Sequence, residues 1–235
     1  MSFPPCSAAL EIQPAGIGLA RPRRRVGVTV KLCLAGLAGF LVLGNLTITG
    51  ISAWARNTTV LPSGPVVSGV GNFRVVDPHL WRGAAPSLRG YESLAAAGVR
   101  TVIDLRAEEN LDVDEDRLGD LGLQRVAIPL RDGQTPTPAE VERFLAAVTT
   151  SPGPAFVHCG AGVGRTGTLV GAYLMATGQA DEWTALRGNL AVGPPSLEQL
   201  AFVAGLGDGD RPGPVLVAAS RVLDAPRRLW SRLRA

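Results

Sequence analysis

Read as apolar and polar positions, the chain divides into one long uncharged run followed by short segments that alternate in period. From Leu32 to Ala55 no residue is charged, and Leu32 to Leu43 is continuously apolar or small. These 24 residues exceed the ~20 that a helix needs to cross a bilayer, which predicts a single N-terminal transmembrane helix over 32–55. Asn45, Thr47, Thr49 and Ser52 make its second half more polar. Arg21, Arg23, Arg24, Arg25 and Lys31 precede the run, whereas Arg56 alone follows closely. The positive-inside rule then leaves 1–31 as a basic cytoplasmic segment and exports the remainder. Ala53-Trp54-Ala55 also fits a small-x-small cleavage site, so secretion after signal removal is the competing reading. A buried helix of the domain itself is a third.

A linker rich in Pro, Gly and Ser is expected over 56–71, and a domain over 72–206. Phe73–Val76 and Leu80–Arg82 read as short strands. Leu88, Tyr91, Leu94 and Ala95 recur at helical spacing and stop at Gly98. Arg100–Leu105 reads as a strand, Val113–Leu121 as a short acidic helix and Leu123–Ile128 as a further strand. Thr137-Pro138-Ala139-Glu140 has capping-box spacing with proline at the first helical position, ahead of Val141, Phe144, Leu145 and Val148 on one face. Ala155–His158 is an apolar strand, and Thr166–Thr177, Asp181–Asn189 and Ser196–Leu206 read as helices. This alternation predicts an α/β fold, with helices packed on a mainly parallel central sheet. Residues 207–235 form a linker and tail. There Leu229, Trp230 and Leu233 lie among Arg227, Arg228, Arg232 and Arg234, the pattern of a basic amphipathic helix at a membrane surface. Pro226 argues against one continuous helix through the tail.

Charge sharpens this division. Residues 1–55 carry +4 and residues 211–235 carry +5, which leaves −6 for the middle of a chain whose total is +3. An acidic central domain is poorly suited to the nucleic-acid backbone, which is bound through Lys and Arg, so no nucleic-acid partner is expected. Basic ends suit anionic lipid headgroups. Cys6, Cys33 and Cys159 stand in three unrelated contexts, so neither a disulfide framework nor a metal site is expected.

Residues 158–167 read His-Cys-Gly-Ala-Gly-Val-Gly-Arg-Thr-Gly, between an expected strand and an expected helix. A phosphate monoester dianion needs donors around its three non-bridging oxygens. A tight loop over Gly160, Ala161, Gly162, Val163 and Gly164 can turn successive backbone N–H groups inward as an anion nest. The helix that follows adds the partial positive charge of its N-terminus. Arg165 can grip two oxygens with its planar fork. Helix N-termini and neighbouring arginines favour thiolate over thiol, which makes Cys159 a candidate nucleophile that could form a phosphocysteine. Thr166 is placed to hydrogen-bond the sulfur. His158 takes a supporting role in orienting the loop. No cofactor is called for.

This decapeptide resembles the signature loop of the protein-tyrosine phosphatase superfamily, in its histidine before cysteine, its arginine six positions later and the threonine and glycine beyond. The resemblance covers residues 72–206 and implies a central sheet with helices on both faces. It also implies a general acid a few tens of residues before the cysteine. Asp132, 27 residues upstream in Pro129-Leu130-Arg131-Asp132-Gly133-Gln134, fits. A solvated turn aspartate is the plainer reading of Asp-Gly. Asp104 is the rival, though it reads better as a structural partner of an arginine. Gln199 sits where related enzymes carry a water-orienting glutamine, although capping alone accounts for it.

The domain is short and lacks a tryptophan-proline-aspartate acid loop, which points to the compact dual-specificity branch acting on phosphorylated proteins or small phosphoesters. Lipid and inositol-phosphate phosphatases of the superfamily often carry lysine where Gly160 and Val163 stand, which counts against such substrates, whereas the basic tail favours them, so phosphoinositides or inositol phosphates are the alternative substrates. A catalytically inactive phosphate-binding module is the alternative from another class. Gly162 to Gly167 also satisfies a dinucleotide fingerprint, but Asp181 and Glu182 come too early for its ribose-binding acid.

Overall fold

A computed structural model describes residues 23–59, 67–107 and 115–234, with side chains from 28 to 226 within those spans. The chain falls into two units, Met1–Gly39 and Phe40–Ala235.

Helix α1 runs from Arg23 to Thr58, a single stretch of 36 residues. It is the one described helix long and apolar enough to cross a membrane, with a mean hydropathy of 1.9 over its best window between Val28 and Thr58. It starts before and ends after the expected 32–55 segment, because its polar positions do not break it. Asn45 donates from Nδ2 to the Leu41 carbonyl one turn back, 2.9 Å away, and to the Leu223 carbonyl at 3.3 Å. Ile48, Ser52 and Ala55 are buried. Most of the expected 1–31 segment lies outside the described residues.

The second unit is built on five strands: β1 (Arg74–Val75), β2 (Leu80–Ala84), β3 (Thr101–Arg106), β4 (Gln124–Leu130) and β5 (Ala155–Cys159). Their order across the sheet is β1-β2-β5-β3-β4. β1 is antiparallel to β2, and every other pair is parallel. β5 is last in sequence but central in the sheet, so its C-terminal end opens where the strand order reverses, the favoured ligand position in open α/β sheets.

Side chains alternate between two cores, as period-two strands buried on both faces require. Ile103, Leu105 and Val157 face Phe144 and Val148 of α4 (Pro138–Thr149) and Leu169 of α5 (Gly164–Ala176). Val102 and Phe156 face Tyr91 and Leu94 of α2 (Leu88–Ala96) and Leu118 of α3 (Glu115–Asp120). Helices α6 (Glu182–Val192) and α7 (Leu197–Ala204) lie outside α5, with Ala185 against Phe202 and Val203. The expected start of the acidic helix, Val113, lies outside the described residues.

Two expectations need correction. Val67 is buried in the second core, and the Gly69 carbonyl accepts from the Ser87 amide at 3.0 Å, so the stretch just before 72 packs with the domain instead of acting as linker. The tail is helical from Pro214 to Arg234 as α8, running through Pro226. Pro214 begins it, a position where proline's missing N–H costs nothing. Ser220 and Leu223 are buried, and Ser220 Oγ accepts from the Glu198 amide at 3.1 Å, so packing on the α7 side holds the helix that proline alone would weaken. The side chains of Arg227, Arg228, Leu229, Trp230, Arg232, Leu233 and Arg234 fall outside the described residues.

Candidate active site

Cys159 ends β5 and is 3% exposed. The chain then turns through Gly160–Val163 into α5, which starts at Gly164, two residues earlier than expected. Val163 at the N-cap supplies no side-chain hydrogen bond, so it does not itself occupy the first-turn amides.

Three successive loop carbonyls are held from outside. The Ala85 amide donates to Gly160 O at 3.1 Å, Asn72 Nδ2 to Ala161 O at 2.9 Å and Arg82 Nη2 to Gly162 O at 2.9 Å. In a trans peptide the N–H points opposite its carbonyl. Tying these carbonyls to β2 and to the turn before β1 therefore aims the amides of Ala161, Gly162 and Val163 toward the loop centre. Gly162 makes the turn at φ +70°, and a Cβ there would collide with the Gly83 backbone. Only glycine satisfies both demands.

Arg165 is 5% exposed at the start of α5. Its Nη1 donates to the Leu130 carbonyl at 3.0 Å, and its Nη2 lies 3.5 Å from Asp132 Oδ1. A Cβ on Gly160 would sit 3.8 Å from the same Nη2, which places the guanidinium at the loop's edge. The Asp132 side chain is 59% exposed. Its turn is held by the next layer: Ser196 Oγ donates to the Gly133 carbonyl at 3.0 Å, and Gln199 Nε2 to the Gln134 carbonyl at 3.2 Å. Gln199 also completes a capping box with Ser196. It packs so closely over Gly164 that a Cβ there would strike it.

Behind the loop, Asp104 pairs with Arg106 at 3.1 Å and Arg125 at 3.2 Å, the structural role expected for it. Burial pushes its carboxyl up, but the hydrogen bonds and charge of Arg106 outweigh this and hold it below the usual carboxylate range. His158 is beside it in the sheet register, with Nδ1 3.9 Å from Asp104 Oδ1 and its ring centroid 6.4 Å from that of Tyr91 and 5.8 Å from that of Phe156. Burial drives the imidazole down to about 4 against the pull of Asp104, so it is neutral at neutral pH. Thr166 is fully buried, and its hydroxyl has no partner among the described residues, so the expected bond to the cysteine sulfur is not formed.

The structure thus brings Cys159, the 160–164 loop, Arg165 and Asp132 to one end of the sheet. Sequence reasoning missed Asn72 and Arg82. The one available signal was a charged residue inside the apolar strand Leu80-Trp81-Arg82, which burial without a functional reason would penalise.

Residues 70–205, more than half of the chain, match the profile of a family described as DSP-PTPase phosphatase fused to NAD+ kinase. The chain belongs to this phosphatase family. As a compact, dual-specificity-like member of the protein-tyrosine phosphatase superfamily, it is 38% identical over 87 residues to the human dual specificity protein phosphatase CDC14C, covering 34% of this chain and 20% of that one. The phosphatase thus spans only about a fifth of that relative. TpbA of P. aeruginosa shares the fold, with a TM-score of 0.52 and 20% identity over 71% of this chain and 98% of that one. The core catalytic domain of the PP-IP phosphatase SIW14 from S. cerevisiae does so at a TM-score of 0.51 and 17% identity, over 59% and 87%.

Proposed function

We propose that the protein hydrolyses phosphate monoesters through a phosphocysteine intermediate, with phosphotyrosine or dual-specificity protein substrates as its class. The observation that carries this reading is the set of three outward-held carbonyls, which leaves a ring of amides around the cysteine that begins the loop. Cys159 as thiolate attacks phosphorus, and the bond to the leaving oxygen breaks. Asp132 donates a proton to that oxygen. The loop amides and Arg165 hold the non-bridging oxygens as charge redistributes. A water then attacks the phosphocysteine and gives its proton to Asp132, and Cys159 departs as thiolate. The protonated acid and the thiolate are both restored in this cycle. His158, neutral and buried, keeps the end of β5 in place.

Inositol phosphates are the second reading. The fold shared with SIW14 favours it, whereas Gly160 and Val163 supply no cationic side chain to a polyphosphate. Retention of Cys159, Arg165 and Asp132 together opposes an inactive binding module.

Helix α1 is read as a retained single-pass anchor with the catalytic domain outside the cytoplasm. In support, Ala55 is enclosed with Leu190 and Ala191, so cutting after Ala55 would strip residues from a packed cluster.

The deciding experiment measures phosphate release from a phosphotyrosine peptide, an inositol pyrophosphate and phosphoinositide vesicles, with vanadate as competitor. Fastest turnover on the peptide, inhibited by vanadate and lost in Cys159→Ser, is expected. Preference for the inositol substrate would transfer the function to the second reading, and activity unaffected by Cys159→Ser would end both.

A further inference from the structure

Arg82 is the charged side chain of the apolar strand β2, and it is 4% exposed. Strand periodicity puts it on the α5 side of the sheet, with Leu80, Val157 and Cys159. In the parallel register Arg82 stands opposite Val157 and Ala84 opposite Cys159. Strand spacing and rise then set the Arg82 and Cys159 Cα atoms roughly 8 Å apart. Arg82 Nη2 donates to the Gly162 carbonyl at 2.9 Å and lies 3.5 Å from the Val163 carbonyl. Both acceptors are neutral, so the guanidinium is bonded without its charge being cancelled.

Among the described residues, the charged groups acting on Arg82 are Cys159, which favours the guanidinium, and Arg74, its cross-strand neighbour on β1, which opposes it. Asp104 faces the other side of the sheet and is spent on Arg106 and Arg125. Burial lowers the pKa of Arg82 to about 10, partly offset by Cys159, so the guanidinium stays charged at neutral pH. A charge buried in this way is costly unless an opposite charge accompanies it. Holding a carbonyl does not require one, because Asn72 holds the Ala161 carbonyl at 2.9 Å with a neutral amide. The positive charge at Gly162 therefore has a use beyond its hydrogen bond, and the anion it meets is the one at the loop. Arg165 differs, since its Nη2 lies 3.5 Å from the Asp132 carboxylate, which balances part of its charge.

We propose that Arg82 is a positioning residue and the standing counter-charge of the phosphate site: it holds the Gly162 carbonyl outward, and its field, from beneath the loop, stabilises the Cys159 thiolate and a bound phosphate dianion. This rests on the reading of Cys159 as the nucleophile of a phosphate-binding loop, and adds to it a second cation that acts without touching the substrate. Buried charges are screened far less than exposed ones, so the field carries across the loop.

The test compares alkylation of Cys159 by iodoacetate and by iodoacetamide in the full-length, detergent-solubilised protein, read by peptide mass spectrometry. Both reagents react with the thiolate and expel iodide, but only iodoacetate is anionic. The ratio of their rates therefore reports the field at the sulfur independently of the thiolate fraction. Arg82→Gln, which keeps a donor and loses the charge, should lower this ratio by about fivefold or more. Protection of Cys159 by inorganic phosphate should weaken by about tenfold in the same variant. Arg82→Met is the second neutral variant should the first misfold. Arg82→Lys should keep the ratio within about twofold of wild type, and so should Asn72→Ala, which releases a neighbouring carbonyl without removing a charge. These two arms decide the matter if neither neutral variant folds. A ratio within about twofold of wild type in a folded neutral variant, or a larger fall than that in Arg82→Lys or Asn72→Ala, would overturn the proposal. No arm reads turnover, and phosphate release by Cys159→Ser tests the nucleophile separately, so the two failures are distinguishable.

Discussion

The Arg165 guanidinium stands between the Leu130 carbonyl and the Asp132 carboxylate, 3.0 Å from one and 3.5 Å from the other. The residue expected to hold phosphate therefore also positions the residue expected to donate the proton. An incoming phosphoester would draw the guanidinium toward its oxygens and leave Asp132 beside the leaving group.

Asp132→Asn should therefore separate substrates by leaving group. Alkyl phosphates, whose alkoxides need a proton in the transition state, should slow by about 10²-fold or more, whereas activated aryl phosphates should slow little. Steady-state kcat on the two series checks this, and equal rates for variant and wild type on alkyl phosphates would remove Asp132 from the mechanism.

Gly162→Ala combines a left-handed backbone with a steric collision against Gly83. A stability loss of roughly 1–3 kcal/mol is expected from strain of this kind. Vanadate should also bind more weakly, since the loop must open to admit the methyl group. Thermal unfolding and vanadate inhibition together measure it; an unshifted inhibition constant would show that the curvature of the loop does not set anion affinity.

His158 predicts an acid limb of stability. In the unfolded chain its imidazole takes a proton near ~6.5, but burial delays this to about 4 in the folded protein. Between these values the unfolded state binds more protons, so stability is complete above the upper one and falls as pH drops toward the lower. The loss across the window is roughly 3 kcal/mol from this group alone. Denaturant unfolding at steps from pH 7 to 4 should show the slope, and His158→Gln should flatten it.

Thr137 offers a change confined to the scaffold. Its side chain accepts from the Glu140 amide, and Glu140 Oε2 accepts from the Thr137 amide at 2.6 Å, closing the capping box of α4. Thr137→Ala should cost about 1 kcal/mol and leave kcat unchanged. A fall in kcat without loss of stability would instead tie α4 to the chemistry.

Features written in contiguous residues were legible beforehand. Capping at Thr137 and Ser196, the apolar strand ending at Cys159 and the glycine-rich turn to Arg165 each depend on neighbours a few positions apart. What the sequence concealed depends on distant partners. Arg82 and Asn72 meet the loop across 80 and 89 residues of chain, and only the placement of β2 beside β5 brings them there. The reach of α8 was hidden for the same reason. Pro226 is a local signal against helix, whereas the buried Ser220 and Leu223 that outweigh it become visible only once the helices are packed.

The bonds from Ser196 and Gln199 to the turn that carries Asp132 have a kinetic corollary. A proton donor moored to the neighbouring helical layer has little distance to travel, so the entropy of placing it is spent during folding rather than in each catalytic cycle. Turnover should then be insensitive to solvent viscosity.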